Sequence, residues 1–387
     1  MVGKLRPVGS RVPLPVSTAP TDSAWGDHYE AAYFASGTDA LAMAVQMACL
    51  KSPDMPEPEV IIPAYGCPDL VAAVRCAGAV PVVVDVEDEM PFLDRSALIE
   101  SISTSTVAVV AVNFLGIPER LEALSVICRE HGLCLIEDSA QCFPPLSCHS
   151  LVADSVVVSF GRGKPINLMG GGALLRRGHF SEKERSSLEN CPQQSANYGV
   201  PWRLKRLLFN VVLHRFCFSL IEKIPILGIG STTLVPHSTI TRKQVPERLL
   251  LGGVKAFYQR PLVHRWYDLH LLPLQNRGWI LLNGINRGEA CLDRNIPRLR
   301  YAVLAPTSGL RDECIRALTV AGIGATALYE SAITGIPGVA PLVRAGRVTS
   351  AKGFASRLMT LPSHEDVSER DVQVIAKIMG NLSQVCD

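Results

Sequence analysis

The first half of the chain alternates between two hydrophobic rhythms. Short runs rich in valine, isoleucine and leucine fall at Val60–Ile62, Pro81–Val86, Val107–Val112, Leu133–Ile136, Ser155–Phe160 and Ala173–Leu175. Such runs, bounded by turn residues, predict buried strands. Between them lie Ala40–Leu50, with positions 41, 44, 45 and 48 apolar, then Leu70–Ala77 and Glu119–His131. Apolar residues three and four apart line one face of a helix. Gly78 and Gly132 follow the second and third of these, where glycine commonly ends a helix. Strands alternating with helices predict parallel βαβ units and a sheet covered on both faces. Ligands in such sheets sit beyond the carboxyl ends of the strands, so the residues just after each strand become the candidates for chemistry.

The rest of the chain changes character. Residues 1–25, rich in Pro, Ser and Thr, predict an irregular arm. A charged stretch, RRGHFSEKER, begins at Arg176. Trp202–Ile229 then mixes basic with large apolar side chains and fits three roles: packing on the core or a partner subunit, lying on a membrane surface as a basic amphipathic helix, or covering a substrate. From about residue 295 an α+β pattern begins. It predicts a strand at Arg300–Leu304, a helix at Arg311–Ala321 ended by Gly322, an extended run Ile323–Tyr329 and a strand at Ser356–Leu361. A closing helix, Ser368–Leu382, has Ser368 as its N-cap. These patterns divide the chain into the arm, a large domain over 26–260 and a smaller α+β domain over 261–387.

Composition narrows the partners. The 387 residues are 48% hydrophobic and 19% charged, with a net charge of +2, which lacks the basic excess of a nucleic-acid binder. The 12 cysteines form no CxxC and no Cys/His cluster with zinc spacing. They read as reduced core thiols of a cytoplasmic protein without a metal site. The N-terminal residues hold no continuous apolar stretch, so no signal peptide is expected, and no apolar run has the length of a membrane span.

Four strand ends carry candidate chemistry. Ser36-Gly37-Thr38-Asp39 opens a helix after the run AAYFA; it suits an anion at the helix N-terminus, or is a plain N-cap. Glu137-Asp138-Ser139-Ala140-Gln141 follows LCLI. Two carboxylates there need partners: a cationic ring nitrogen is one, and capping a following helix is the alternative. Ser159 ends the run SVVV, and Lys164 follows five residues later among Gly161, Gly163 and Gly170–Gly172. A lysine in a confined site has a depressed pKa and becomes a usable nucleophile, while the glycines leave room for a flat ligand; an exposed loop lysine is the other reading. In Pro63-Ala64-Tyr65-Gly66-Cys67-Pro68, Tyr65 faces a ligand or packs in the core. An anion site, a carboxylate for a ring nitrogen and an amine are together the equipment of pyridoxal phosphate catalysis.

These motifs, in this order, resemble the DegT/DnrJ/EryC1/StrS aminotransferases, the sugar-nucleotide branch of the fold type I pyridoxal phosphate enzymes. The resemblance is carried by SGTDAL, EVIIPAY, AGAVPVVVDV, HGLCLIEDSAQ, SFGRGKPINLMGGGALL and LPSHEDVSERDVQVI. It implies an α/β fold of the aspartate aminotransferase type and a homodimer. It also implies an activity that moves an amino group from glutamate to a keto sugar nucleotide, in polysaccharide or glycoconjugate biosynthesis. In the roles it implies, Lys164 carries the cofactor and shuttles the proton, Asp138 pairs with the pyridine nitrogen, and Gln141 lies against the ring. Gly37, Thr38 and Ser159 hold the phosphate. The chain departs from the family pattern at three places. Cys67 stands where an aromatic residue often stacks on the ring, with Tyr65 as the nearest substitute. Asn197-Tyr198 lacks the arginine of the loop that reaches the partner's phosphate, and Pro165 follows the lysine where asparagine is common. A sister branch replaces the lysine by histidine and dehydrates sugars; Lys164 argues against it. The remaining alternatives are the same fold acting on another amine acceptor, and a non-catalytic, membrane-associated or regulatory cofactor-binding protein.

Overall fold

The computed structural model describes residues 3–17, 25, 28–147, 151–221, 232–282 and 293–385, so the end of the basic apolar segment, 222–229, lies outside the described residues. Its centre is a ten-stranded sheet of order β12-β3-β2-β4-β5-β6-β7-β1-β9-β8. The central strands are β2 (Glu59–Pro63), β3 (Val80–Val84), β4 (Thr106–Val112), β5 (Cys134–Asp138) and β6 (Ser155–Ser159), all mutually parallel. Every residue of β2, β4, β5 and β6 is buried, as expected of strands covered on both faces. The helices α1 (Gly37–Cys49), α2 (Asp69–Cys76), α3 (Arg95–Ser101) and α4 (Leu121–Glu130) link them, and α1, α2 and α4 fall within a residue or three of the bounds the apolar spacing predicts. α1 packs on α2, β6 and β7, burying Leu41, Ala44, Val45 and Ala48.

The parallel expectation fails at β7 (Gly172–Arg177), which runs antiparallel to β6 and to β1 (Tyr29–Phe34). The link between β6 and β7 contains the lysine loop and no helix, so the chain turns back instead of crossing over. Two short strands, β8 (Gln193–Gln194) and β9 (Arg242–Lys243), close that edge. At the other edge, β12 (Arg344–Ala345) adds parallel to β3, so the C-terminal part of the chain contributes to the large sheet. Arg344 holds it there by pairing with Glu57 and Glu59.

A second, antiparallel sheet of order β10-β11-β13 combines β10 (Ile280–Leu281), β11 (Arg300–Leu304) and β13 (Leu358–Pro362). With the helices Val263–Leu271, Ser308–Val320 and Glu369–Val385 it encloses a core containing Tyr267, Trp279, Tyr301 and Met359. The predicted strand Ser356–Leu361 begins only at Leu358. Ala351, Phe354 and Ala355 continue a helical apolar face to Arg357, in the helix Thr349–Arg357. Ile323–Tyr329 forms isolated bridges instead of an extended strand, Leu5 to Ile323 and Thr326 to Thr360. The N-terminal arm is irregular but anchored: Arg6 is buried against Glu365 and Asp366, the pairing a buried guanidinium requires.

Candidate active site

Three strand ends and the start of α1 converge on one cavity of about 240 Å³. Ser36, Gly37 and Thr38 form its first wall. Ser36 is the extended N-cap of α1, its Oγ accepting from Asp39 N at 3.0 Å. The first-turn amides of a helix lack intrahelical acceptors and favour an anion. Gly37 is where bulk is excluded: a β-carbon there would lie 2.7 Å from Ser159 Cβ, so the helix start and the end of β6 are in contact. Thr38 Oγ1 donates to Asp69 Oδ2 at 3.3 Å. The Asp39 carboxylate accepts from Ser36 Oγ and, through its other oxygen, from Thr241 N at 2.7 Å, and lies 3.2 Å from His237 Nε2.

The carboxylates ending β5 divide the work. Glu137 is fully buried and structural: Asn113 Nδ2, Ser139 Oγ and the amides of Leu146 and Ser147 all donate to it, at 2.6–2.9 Å. Asp138 faces the cavity, and its one protein donor among the described residues is Ala140 N at 2.8 Å. Burial raises its pKa; the Ala140 amide and the Lys164 charge pull the other way. A buried carboxylate this poorly supplied with donors suits a cationic ligand. Gln141 lines the same wall, accepting from Leu115 N and donating to Tyr329 Oη, both at 3.2 Å, which fixes its amide plane.

Lys164 reaches the cavity from beyond β6, together with Ser159 and Gly161. Gly163, beside it, has φ +72°, a left-handed conformation that favours glycine. The triple glycine has a different use from the one the sequence suggests. A β-carbon on Gly172 would come 2.5 Å from Ser36 O, so the run admits the backbone of the anion loop instead of a ligand. Seven of the eight predicted residues, Gly37, Thr38, Cys67, Asp138, Gln141, Ser159 and Lys164, line this one cavity.

Tyr65 does not. It is 1% exposed, its ring packs edge-on to Phe114, Tyr329 and Phe354, and its hydroxyl donates to Tyr329 O at 2.9 Å. With both its ring and its hydroxyl engaged in the core, it cannot replace a stacking residue. Cys67 does line the cavity, with burial pushing its thiol up to about 11, so it is a neutral, apolar surface there. Sequence reasoning missed Val112 and Phe114, which line the cavity at and just beyond the end of β4; the strand-end rule, applied to the predicted strand Val107–Val112, points to them. It also missed Tyr329, which hydrogen-bonds Gln141 and reaches the site from a segment without periodic pattern.

Known proteins share this fold and part of this sequence. The fold is that of the fold type I pyridoxal phosphate-dependent transferases. The chain superposes on Streptomyces venezuelae DesV, solved with a ketimine intermediate, with a TM-score of 0.67 at 20% identity over 93% of this chain and 86% of that one. It superposes on the Streptococcus pneumoniae sugar aminotransferase Spr1654 in its PLP form with a TM-score of 0.65 at 18% identity, over 92% and 87%. Residues 24–204 match the model of the DegT/DnrJ/EryC1/StrS aminotransferase family. Among curated relatives it is 35% identical over 107 residues to a UDP-N-acetyl-3-dehydro-alpha-D-glucosamine 3-aminotransferase of Acidithiobacillus ferrooxidans, covering 28% of each chain. It is 31% identical over 254 residues to the erythromycin biosynthesis sensory transduction protein EryC1 of Saccharopolyspora erythraea, covering 62% of this chain and 64% of that one. The matched stretches thus span less than two thirds of either relative.

Proposed function

We propose that the protein is a pyridoxal phosphate-dependent aminotransferase that moves an amino group from glutamate to a keto group on a nucleotide-linked sugar. The observation that carries this is the meeting of Lys164, Asp138 and the Ser36–Thr38 helix start, with Ser159, in one cavity. These residues fit the cofactor: an anion cradle closed to any β-carbon at Gly37, a donor-poor buried carboxylate, and a single lysine.

Bound there, pyridoxal phosphate supplies an electrophilic carbon for the amino group and a protonated ring that takes up the electron pair left on the donor's α-carbon. The backbone amides of Gly37 and Thr38 and the hydroxyls of Thr38 and Ser159 would hold its phosphate. Asp138 would hold the proton on the ring nitrogen, and Gln141 would orient the ring from the side. Lys164 Nζ would anchor the cofactor and, once freed, move the proton from the donor's α-carbon, acting as base in one half of the reaction and acid in the other. Cys67 and Phe114 keep that part of the cavity apolar.

We further infer a homodimer working in the cytoplasm. Lys164 is the one cation among the described residues lining the cavity, which leaves the phosphate end for a partner's basic residue. The nine cysteines of the described residues are free thiols, suited to a reducing compartment. A second reading, the same chemistry on another amine acceptor, is favoured by the thiol of Cys67 in the stacking position.

Spectroscopy of wild type and Lys164→Ala tests the proposal. Wild type with pyridoxal phosphate is expected to show a visible band, fixed by borohydride onto Lys164 and lost on adding glutamate. No band in wild type, or the same fixed adduct in the variant, overturns it.

A further inference from the structure

The helix Val200–Val212 is turned the opposite way from an ordinary surface helix. Its apolar residues Val200, Leu204, Leu207, Leu208 and Val211 are 48–76% exposed. They stand four, seven, eight and eleven positions from the first, which is one helical face. The opposite face is fixed to the protein by polar groups. Asn210 exchanges two hydrogen bonds with the Val12 backbone, at 2.8 and 3.0 Å. Arg206 Nε donates to the carbonyls of Val12 and Pro13, at 3.0 Å each. Phe209 lies under the Arg162 guanidinium, 5.7 Å from its ring centroid. The apolar face therefore cannot roll inward without breaking these contacts. Phe216, 60% exposed on the next helix, Arg215–Ile221, adds to the apolar surface of this segment.

Charge identifies the occupant. Between Glu189 and Glu222 the chain contains no carboxylate, but it has Arg203, Lys205, Arg206 and Arg215. Arg203 and Lys205 adjoin Leu204 on either side, about 100° around the helix from it, so they flank the apolar stripe. Both are exposed, and neither makes an ion pair among the described residues. An apolar stripe bordered by basic side chains is the pattern of a helix lying in the plane of a membrane interface. No helix among the described residues is long and apolar enough to cross a membrane.

We propose that this face docks the protein on an anionic lipid surface, independently of the cofactor chemistry. Leu204, Leu207, Leu208 and Val211 enter the boundary between headgroups and acyl chains, while Arg203 and Lys205 meet the lipid phosphates and carboxylates. Self-pairing of this helix in a second copy fits less well. Two copies of this segment face to face would oppose cation to cation, with no carboxylate on either to pair them.

The test is co-sedimentation of the cofactor-loaded, full-length protein with vesicles. Wild type is expected to pellet with phosphatidylcholine–phosphatidylserine at about 2:1, to be released by salt, and to stay in solution with phosphatidylcholine alone. Arg203→Glu/Lys205→Glu and Leu204→Glu/Leu208→Glu are each expected to weaken that binding about tenfold or more. Both pairs are exposed and outside the cavity, so melting temperature and the glutamate-induced spectral change should match wild type. Wild type that ignores anionic vesicles, binds both vesicle types equally, or is matched by both double variants overturns the proposal. So does a leucine variant that splits a wild-type dimer while wild type shows no lipid binding, which would assign the face to a second copy.

Discussion

Gly37→Ala tests the contact between the start of α1 and the end of β6. The new β-carbon would meet Ser159 Cβ at 2.7 Å and Oγ at 2.9 Å. The hydroxyl can rotate away, but Ser159 Cβ is fixed by the backbone of a buried strand. Carbon atoms in good contact sit about 3.5–4.0 Å apart, so the helix start and the strand end must part by about 1 Å. Forcing an extra carbon into a packed site costs about 1–3 kcal/mol. The melting temperature should therefore fall by a few degrees. The same movement separates the amides of the helix start from Ser159, and pyridoxal phosphate affinity should fall about tenfold, equivalent to about 1.4 kcal/mol. Gly309→Ala is the control. It lies in the helix Ser308–Val320 with nothing within 4 Å of its β-carbon, so it should raise stability by up to about 1 kcal/mol. Differential scanning fluorimetry and an absorbance titration with the cofactor read both variants. An unchanged melting temperature for Gly37→Ala would refute the steric argument. A lowered melting temperature with unchanged affinity would refute the assignment of this cradle to the phosphate.

Asp138→Asn should abolish the glutamate-induced spectral change while the cofactor-free protein melts no lower than wild type at neutral pH. The Asp138 pKa is raised, chiefly by burial, so its stabilising contribution is present below about pH 4 and lost as pH rises through the folded value. The asparagine variant escapes that loss, and a clear fall in its cofactor-free melting temperature would contradict the argument. His364 works in the opposite direction. It is buried, with Nε2 3.0 Å from Arg6 O, and burial followed by the Arg6 charge lowers its pKa to about 3. Its contribution is therefore complete above about pH 6.5 and lost as pH falls toward 3, about 2–3 kcal/mol by two units below the free value. His364→Gln should flatten the acid limb of a stability–pH profile by that amount; an unchanged profile would remove His364 as its cause.

Most of the site is legible in the sequence through the positions of its strand ends. Strands at Val60–Ile62, Val107–Val112, Leu133–Ile136 and Ser155–Phe160 are short, continuous and apolar because both faces of a parallel sheet are covered. Parallel strands present their carboxyl ends on one side, so Asp138 and Lys164 had to be neighbours. Sequence alone thus determined the sheet's central strands, α1 with its N-cap, and the set of groups that meet. Residue chemistry alone did not choose between the adjacent carboxylates Glu137 and Asp138; the family resemblance chose Asp138, and the structure separates the two by the side of β5 they occupy and the donors that wait there. Sequence reasoning also misjudged Tyr65, whose partners Tyr329 and Phe354 lie more than 250 residues away in sequence. Tertiary structure alone decided the reversal of β7, the return of Arg344–Ala345 to the large sheet, and the outward turn of the helix Val200–Val212. The periodicity of that helix fixes one apolar face but not the direction in which it points. The direction was set by hydrogen bonds from Arg206 and Asn210 to the backbone of an arm nearly 200 residues earlier in the chain.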